Sequence, residues 1–227
     1  MISEIYYSIQ SEGRMAGTPA VFLITSDGPP VRQTWCGGQQ GRFAADADTT
    51  LGSLLSSARK HWADYAVITG GEPLAVPELE YVTAGLQQFG HYVTVETSGA
   101  VFAEIPCDLM SVNVQLVSQV QPVKTAKGSK PPAGYDVESV RRIVSGYDYQ
   151  LKFEVSDRAE MEEVRHVAQE SGAEKSKVLL MPAATKGKEW NEQVRWILEA
   201  ARFFGYRYAP RLLMPAVEKP AVKQARE

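Results

Sequence analysis

The chain has 227 residues, 44% of them hydrophobic, which is enough for one domain with a sizeable core. A formal net charge of -3 argues against a nucleic-acid binder, because phosphate neutralisation needs a concentrated basic face, and Lys124, Lys127 and Lys130 lie among Pro, Gly and Ser in what reads as solvated loop. No apolar run approaches the roughly 20 residues that span a bilayer, and MISEIYYSIQ lacks the basic start and apolar core of a signal peptide, so a cytoplasmic protein without membrane contact is expected.

Taken in chain order, β-branched or aromatic runs predict strands at 20–25 (AVFLIT), 65–69 (YAVIT), 92–96 (YVTVE), 109–114 (LMSVNV), 149–155 (YQLKFEV), 177–181 (KVLLM) and 206–209 (YRYA). Apolar residues at three- and four-residue spacing after acidic starts predict helices over 77–89, 158–171 and 188–204. Strand alternating with helix implies an α/β fold with a parallel sheet and right-handed crossovers in a single domain. Residues 115–136 are too rich in Pro and Lys for an element and read as one long loop, and about 215–227 read as a flexible tail.

In parallel α/β folds, ligands collect at the carboxyl ends of strands. GGEP follows YAVIT: Gly70 and Gly71 let a ligand approach the backbone, and Glu72 offers an acceptor for an ammonium group. TSG follows YVTVE, which sets Ser98 at the equivalent end of the next strand. Ordinary strand-to-helix turn chemistry explains both turns equally well. His61, His91 and His166 are isolated in sequence and read as packing or solvated residues. With two cysteines, Cys36 and Cys107, neither a disulfide framework nor an all-cysteine zinc site can be built within the chain.

Six segments, EIYYSIQSEGRMAGTPAVFL, VITGGEPL, VTVETSG, CDLMSVNVQL, YDYQLKFEV and KVLLMP, resemble in order and spacing the 7-carboxy-7-deazaguanine synthase family of radical S-adenosylmethionine enzymes, over nearly the whole chain. The resemblance implies an incomplete parallel (β/α) barrel, a homodimer, and conversion of 6-carboxy-tetrahydropterin to 7-carboxy-7-deazaguanine in queuosine biosynthesis. The implied cofactors are a 4Fe-4S cluster, S-adenosylmethionine and Mg. By the same resemblance Gly70, Gly71 and Glu72 meet the methionine end of S-adenosylmethionine, Ser98 lies beside it, and Gln10, Glu12 and Gly13 in IQSEG form the substrate side.

The chain departs from the family where chemistry is concentrated. A 4Fe-4S cluster with one open iron needs three thiolates, which the family supplies as C-x3-C-x2-C followed by Asp-Thr. The corresponding positions in GPPVRQTWCGG are Pro29, Gln33 and Cys36, followed by Gly37 and Gly38, so Cys36 is a remnant metal ligand only. Cys107 precedes a strand and is expected at the opposite end of the barrel. Ile24 stands for a family arginine, and Asn113, Val114 and Gln115 stand for Ser-Pro-Lys; both replacements remove a fixed cation from the ligand cleft. Ala183 and Ala184 replace a Glu-Gly pair, and Leu212, Leu213 and Met214 replace a histidine-bearing segment. The reading is a pseudoenzyme or inactivated scaffold with no catalytic residue of its own, no cluster, and a small-molecule ligand such as S-adenosylmethionine as its remaining business. An active synthase with unusual cluster ligation is the alternative. Trp35 and Phe43, where the family covers its cluster, form either an apolar patch or a packed pair.

Overall fold

The computed structural model describes residues 2–25, 43–44, 50–60, 63–119 and 134–212. Among the described residues nine strands form one sheet in the order β3-β1-β2-β4-β5-β6-β7-β8-β9. They are β1 (Ile2–Ile9), β2 (Pro19–Thr25), β3 (Phe43–Ala44), β4 (Tyr65–Thr69), β5 (Tyr92–Thr97), β6 (Leu109–Asn113), β7 (Tyr149–Val155), β8 (Val178–Pro182) and β9 (Arg207–Tyr208). From β2 to β9 every pairing is parallel, whereas β1 runs antiparallel to both β2 and β3. The seven predicted strands are all present. The antiparallel β1 is an addition: a half-buried YYSI run without strict alternation gives a weak periodic signal.

Helices α1 (Leu51–Arg59), α2 (Leu79–Gln88), α3 (Val137–Gly146), α4 (Glu160–Glu170) and α5 (Gly187–Phe204) complete the fold. α1 and α3 are not among the predicted helices, although each carries a legible start. Thr50 accepts from the Ser53 amide, and Asp136 accepts from both the Ser139 amide and its hydroxyl. Each such cap satisfies a donor that the first helical turn leaves unpaired.

Strand register sorts the side chains into two faces. Val21 and Leu23, Ala66 and Ile68, Val93 and Val95, Met110 and Val112, Leu151 and Phe153, and Val178 and Leu180 all enter the main hydrophobic core. There they meet Leu54, Leu55 and Ala58 of α1, Leu79, Val82 and Leu86 of α2, Val140 and Ile143 of α3, Val164 and Val167 of α4, and Trp196 and Ile197 of α5. Fully burying each aliphatic side chain of this kind stabilises the fold by about 1.5–3 kcal/mol. The other face carries a small cluster of Ala20, Phe22 and Val67 beside the stacked rings of Tyr6 and Phe22. Toward β7 that face turns polar: Thr69, Glu96, Ser111, Asn113, Gln150, Lys152 and Glu154 recur at two-residue steps along their strands, beside buried Leu109, Leu179 and Met181.

The sheet curls toward this polar face without closing. Glu12, just after β1, and Arg211, just after β9, lie near opposite ends of the strand order, yet their side chains meet at 2.5 Å. The expected incomplete (β/α) barrel is therefore the observed architecture. Residues 115–119 and 134–136 of the long connection are anchored: Leu116 is fully buried, and the Val117 amide and Tyr135 hydroxyl both donate to Glu163 of α4. Residues 120–133 and the tail from 213 lie outside the described residues.

Candidate active site

Two polar clusters stand out, one at the strand ends and one on the polar inner face. The first is built at the carboxyl ends of β2, β4 and β5. Gly70 (φ +86°) and Gly71 (φ +38°) turn the chain back after β4 in conformations that side-chain-bearing residues rarely adopt. The Thr25 hydroxyl at the end of β2 donates to the Gly70 carbonyl at 2.6 Å. Glu72 is 1% exposed, and its carboxylate is saturated by neutral donors. Oε1 accepts from the Thr97 hydroxyl (2.7 Å) and the Leu74 amide (3.2 Å), while Oε2 accepts from the Ser98 amide (3.0 Å) and hydroxyl (2.5 Å). Glu72 thus ties the β4 turn to the β5 turn and starts the short 3-10 turn Pro73–Ala75. Four predicted residues, Gly70, Gly71, Glu72 and Ser98, are brought together here. The Glu72 carboxylate organises the turn; among the described residues it has no cationic partner.

The second cluster is ionic and lies deeper. Lys152 projects from the middle of β7 with its side chain 1% exposed, and its ammonium donates to Glu12 Oε2 at 3.2 Å and to Glu96 Oε1 at 3.1 Å. Glu96 also accepts from the Gln10 amide nitrogen (3.2 Å) and the Thr69 hydroxyl (3.0 Å). Arg211 places Nε 2.5 Å from Glu12 Oε1 and its terminal nitrogen 2.8 Å from Glu154 Oε2. Burial pulls the Lys152 ammonium toward neutrality, but Glu96 and Glu12 override it and hold its pKa above the ordinary value. Burial likewise raises Glu12, but Lys152 and Arg211 outweigh that and hold its carboxyl below the usual range.

Gln10, Glu12 and Gly13 therefore sit on the floor of the barrel, joined to the first cluster through Glu96 and Thr69. Gly13 (φ +71°) lets the loop press onto β7, where a Cβ would collide with the Gln150 side-chain amide. The Gln150 amide group bridges the Arg14 amide and the Ser111 hydroxyl, which fixes the loop height above the sheet.

Ile24, Asn113, Val114 and Gln115 carry no charge where the resemblance implies cations, and Lys152 and Arg211 bring positive charge to the inner face from other positions. The signal for Lys152 is present in YQLKFEV, whose Gln, Lys and Glu alternate with apolar residues inside a central strand; Glu96 in VTVET repeats it. Arg211 has no such signal, since its contacts reach 199 residues back along the chain.

Cys36, with Pro29, Gln33, Trp35, Gly37 and Gly38, lies outside the described residues, as do His61 and the Phe43 side chain. Cys107 precedes β6, at the amino-terminal end of the parallel strands and opposite Glu72 and Ser98. Burial, then the charge of Asp108, pushes its thiol up to about 12. Cys107 is thus no thiolate ligand for a cluster at the GGEP end, and the thiols of this chain do not fit the three-thiolate requirement of a 4Fe-4S cluster. Among the described residues no group of three or more His, Cys, Asp or Glu is placed to hold a metal ion. His91 is buried beside β5 and His166 is exposed on α4, neither in either cluster. Among the described residues no helix is long and apolar enough to cross a membrane.

A curled, unclosed parallel sheet with helices on its outer face, a glycine turn after β4 and a polar inner face define a partial barrel of the radical S-adenosylmethionine type. The crystal structure of QueE from Escherichia coli has this fold, with a TM-score of 0.62 and 18% identity over 93% of each chain. Among curated proteins, 7-carboxy-7-deazaguanine synthase of Halobacterium salinarum is 32% identical over 226 residues, covering 93% of this chain and 88% of that protein. The synthase of Pyrobaculum aerophilum is 32% identical over 215 residues, 93% of this chain and 91% of its own length. No family model matches the chain. The chain belongs to the 7-carboxy-7-deazaguanine synthase family.

Proposed function

We propose that this chain is a ligand-binding member of the family that keeps the small-molecule pocket but does not assemble a four-iron cluster on its own thiols, and so performs no radical chemistry. The observation that carries the reading is the placement of its two cysteines: Cys36 alone stands in the cluster segment, and Cys107 is half-buried at the far end of the barrel. Support for a retained pocket comes from the intact turns and floor. Gly70, Gly71, Glu72 and Ser98 would meet the amino-acid end of S-adenosylmethionine, where a buried carboxylate held only by neutral donors favours a nearby cationic group. Gln10, Glu12 and Gly13 would face a pterin-like ligand.

A second reading, an active synthase that completes its cluster with other ligands, is favoured by the buried Glu12–Lys152–Glu96 network. Such an arrangement costs desolvation and is commonly kept for binding or catalysis. Incubation with S-adenosylmethionine and a strong reductant after anaerobic reconstitution separates the two. The first reading expects no 5′-deoxyadenosine together with calorimetric binding of S-adenosylmethionine or 6-carboxypterin. Multiple-turnover 5′-deoxyadenosine formation establishes the second.

A further inference from the structure

One short segment spans the open side of the barrel. Leaving β9, the Ala209 amide donates to the Leu180 carbonyl at 3.0 Å, and the Leu212 amide then donates to the Ser11 carbonyl at 2.8 Å. Between them the Arg211 side chain, 8% exposed, spends one N–H on Glu12 and another on Glu154. Glu12 is gripped from two sides, by Lys152 on Oε2 and by Arg211 on Oε1. The loop carrying Glu12 has its own frame: the Gln10 amide donates to the Thr18 carbonyl, the Gly17 amide to the Gln10 carbonyl, and the Glu12 amide to Gln10 Oε1. That frame sets the loop's shape, while Arg211 and Lys152 set where its carboxylate rests. A guanidinium suits the task because its rigid fork reaches two carboxylates at once, which a lysine ammonium does with less directionality.

We propose that Arg211 is a positioning residue of the pocket: it bridges the open side of the partial barrel and clamps Glu12 over Lys152, so that the floor stays closed to water until the 209–212 segment moves away. The role belongs to the apo-protein and is independent of iron or any ligand. Amide hydrogen exchange resolved by peptide compares the wild type with Arg211→Gln and Arg211→Lys. Loss of the clamp is expected to speed exchange in 10–18 by about tenfold in R211Q, a local opening made easier by about 1.4 kcal/mol, with β6 unchanged and R211K intermediate. In parallel, carbon-13 titration of Glu12 is expected to move toward the ordinary glutamate range in R211Q and less so in R211K. Unchanged exchange in 10–18, acceleration shared equally by β6, or a Glu12 titration that does not move would each overturn the proposal. None of these outcomes bears on cluster content, so the proposed function stands or falls separately.

Discussion

On β7, Leu151, Phe153 and Val155 face the helices and join the main core, while Gln150, Lys152 and Glu154, one residue out of step, line the inside of the curl. Both faces are buried, but they are stabilised by different means. The outer face excludes water from apolar area, and its contribution scales with the volume filled. The inner face takes charges out of water and recovers that cost only through partners at 2.5–3.2 Å. A fold selected for stability alone would fill the inner face with aliphatic side chains, and the ionic floor is where the proposed function places its ligand.

Truncating either face should hurt by a similar amount and for different reasons. Phe153→Ala is expected to cost about 3–5 kcal/mol through a cavity, and Lys152→Ala about 3–5 kcal/mol through the loss of the ammonium that Glu96 and Glu12 share, which leaves Glu12 to Arg211, both read by urea unfolding. The combined variant Glu12→Gln, Lys152→Met, Glu96→Gln should break the symmetry. With no orphaned charge it is expected to unfold within about 1 kcal/mol of the wild type or above it, whereas adding polar partners around the cavity left by Phe153→Ala restores nothing. A combined variant as unstable as Lys152→Ala alone would remove the distinction between the faces.

A smaller effect is expected at the neutral cluster. Glu72→Gln presents an amide group to the Ser98 amide, so one donor loses its acceptor at a cost of about 1–3 kcal/mol. Smaller still at neutral pH, and decisive at the extremes, is the titration of the floor. Because the carboxyl of Glu12 is depressed, its contribution is complete above the ordinary value of 4.5 and is lost as pH falls through the depressed one. Because Lys152 is elevated, its contribution is complete below the ordinary value of 10.5 and is lost as pH rises through the elevated one. Stability is therefore expected to be level between about pH 5 and pH 10 as far as this pair is concerned, with both limbs flattened in the combined variant. Limbs of unchanged steepness would show that other groups set the pH dependence.

The parallel strands are legible in the sequence because each is a compact β-branched or aromatic run, and the turns after β4 and β5 because Gly70, Gly71 and Gly99 punctuate them. β1 is less so: Ser3, Glu4 and the adjacent half-buried Tyr6 and Tyr7 break any alternation with its isoleucines, and it gains strand character from pairing with β2 and β3 on both edges. On the site, Glu12 and Glu72 can be named from sequence, but not the partners that hold their carboxylates. Glu72 spends its carboxylate on the scaffold, while Glu12 stands in the charged floor. Lys152 is readable from alternation within β7 once the strand's inward face is considered. Arg211 is not, because no local pattern encodes a contact between the two ends of a curling sheet.

The most direct test of the proposed loss of the cluster is iron and sulfide counting after anaerobic reconstitution of the full chain, with visible absorbance recorded alongside. A folded, colourless protein holding no stoichiometric iron is predicted from Pro29 and Gln33 at two of the three ligand positions and from Cys107 at the wrong end of the barrel. About four iron and four sulfide per chain, the content of one complete cluster, would contradict the account and return the protein to radical catalysis.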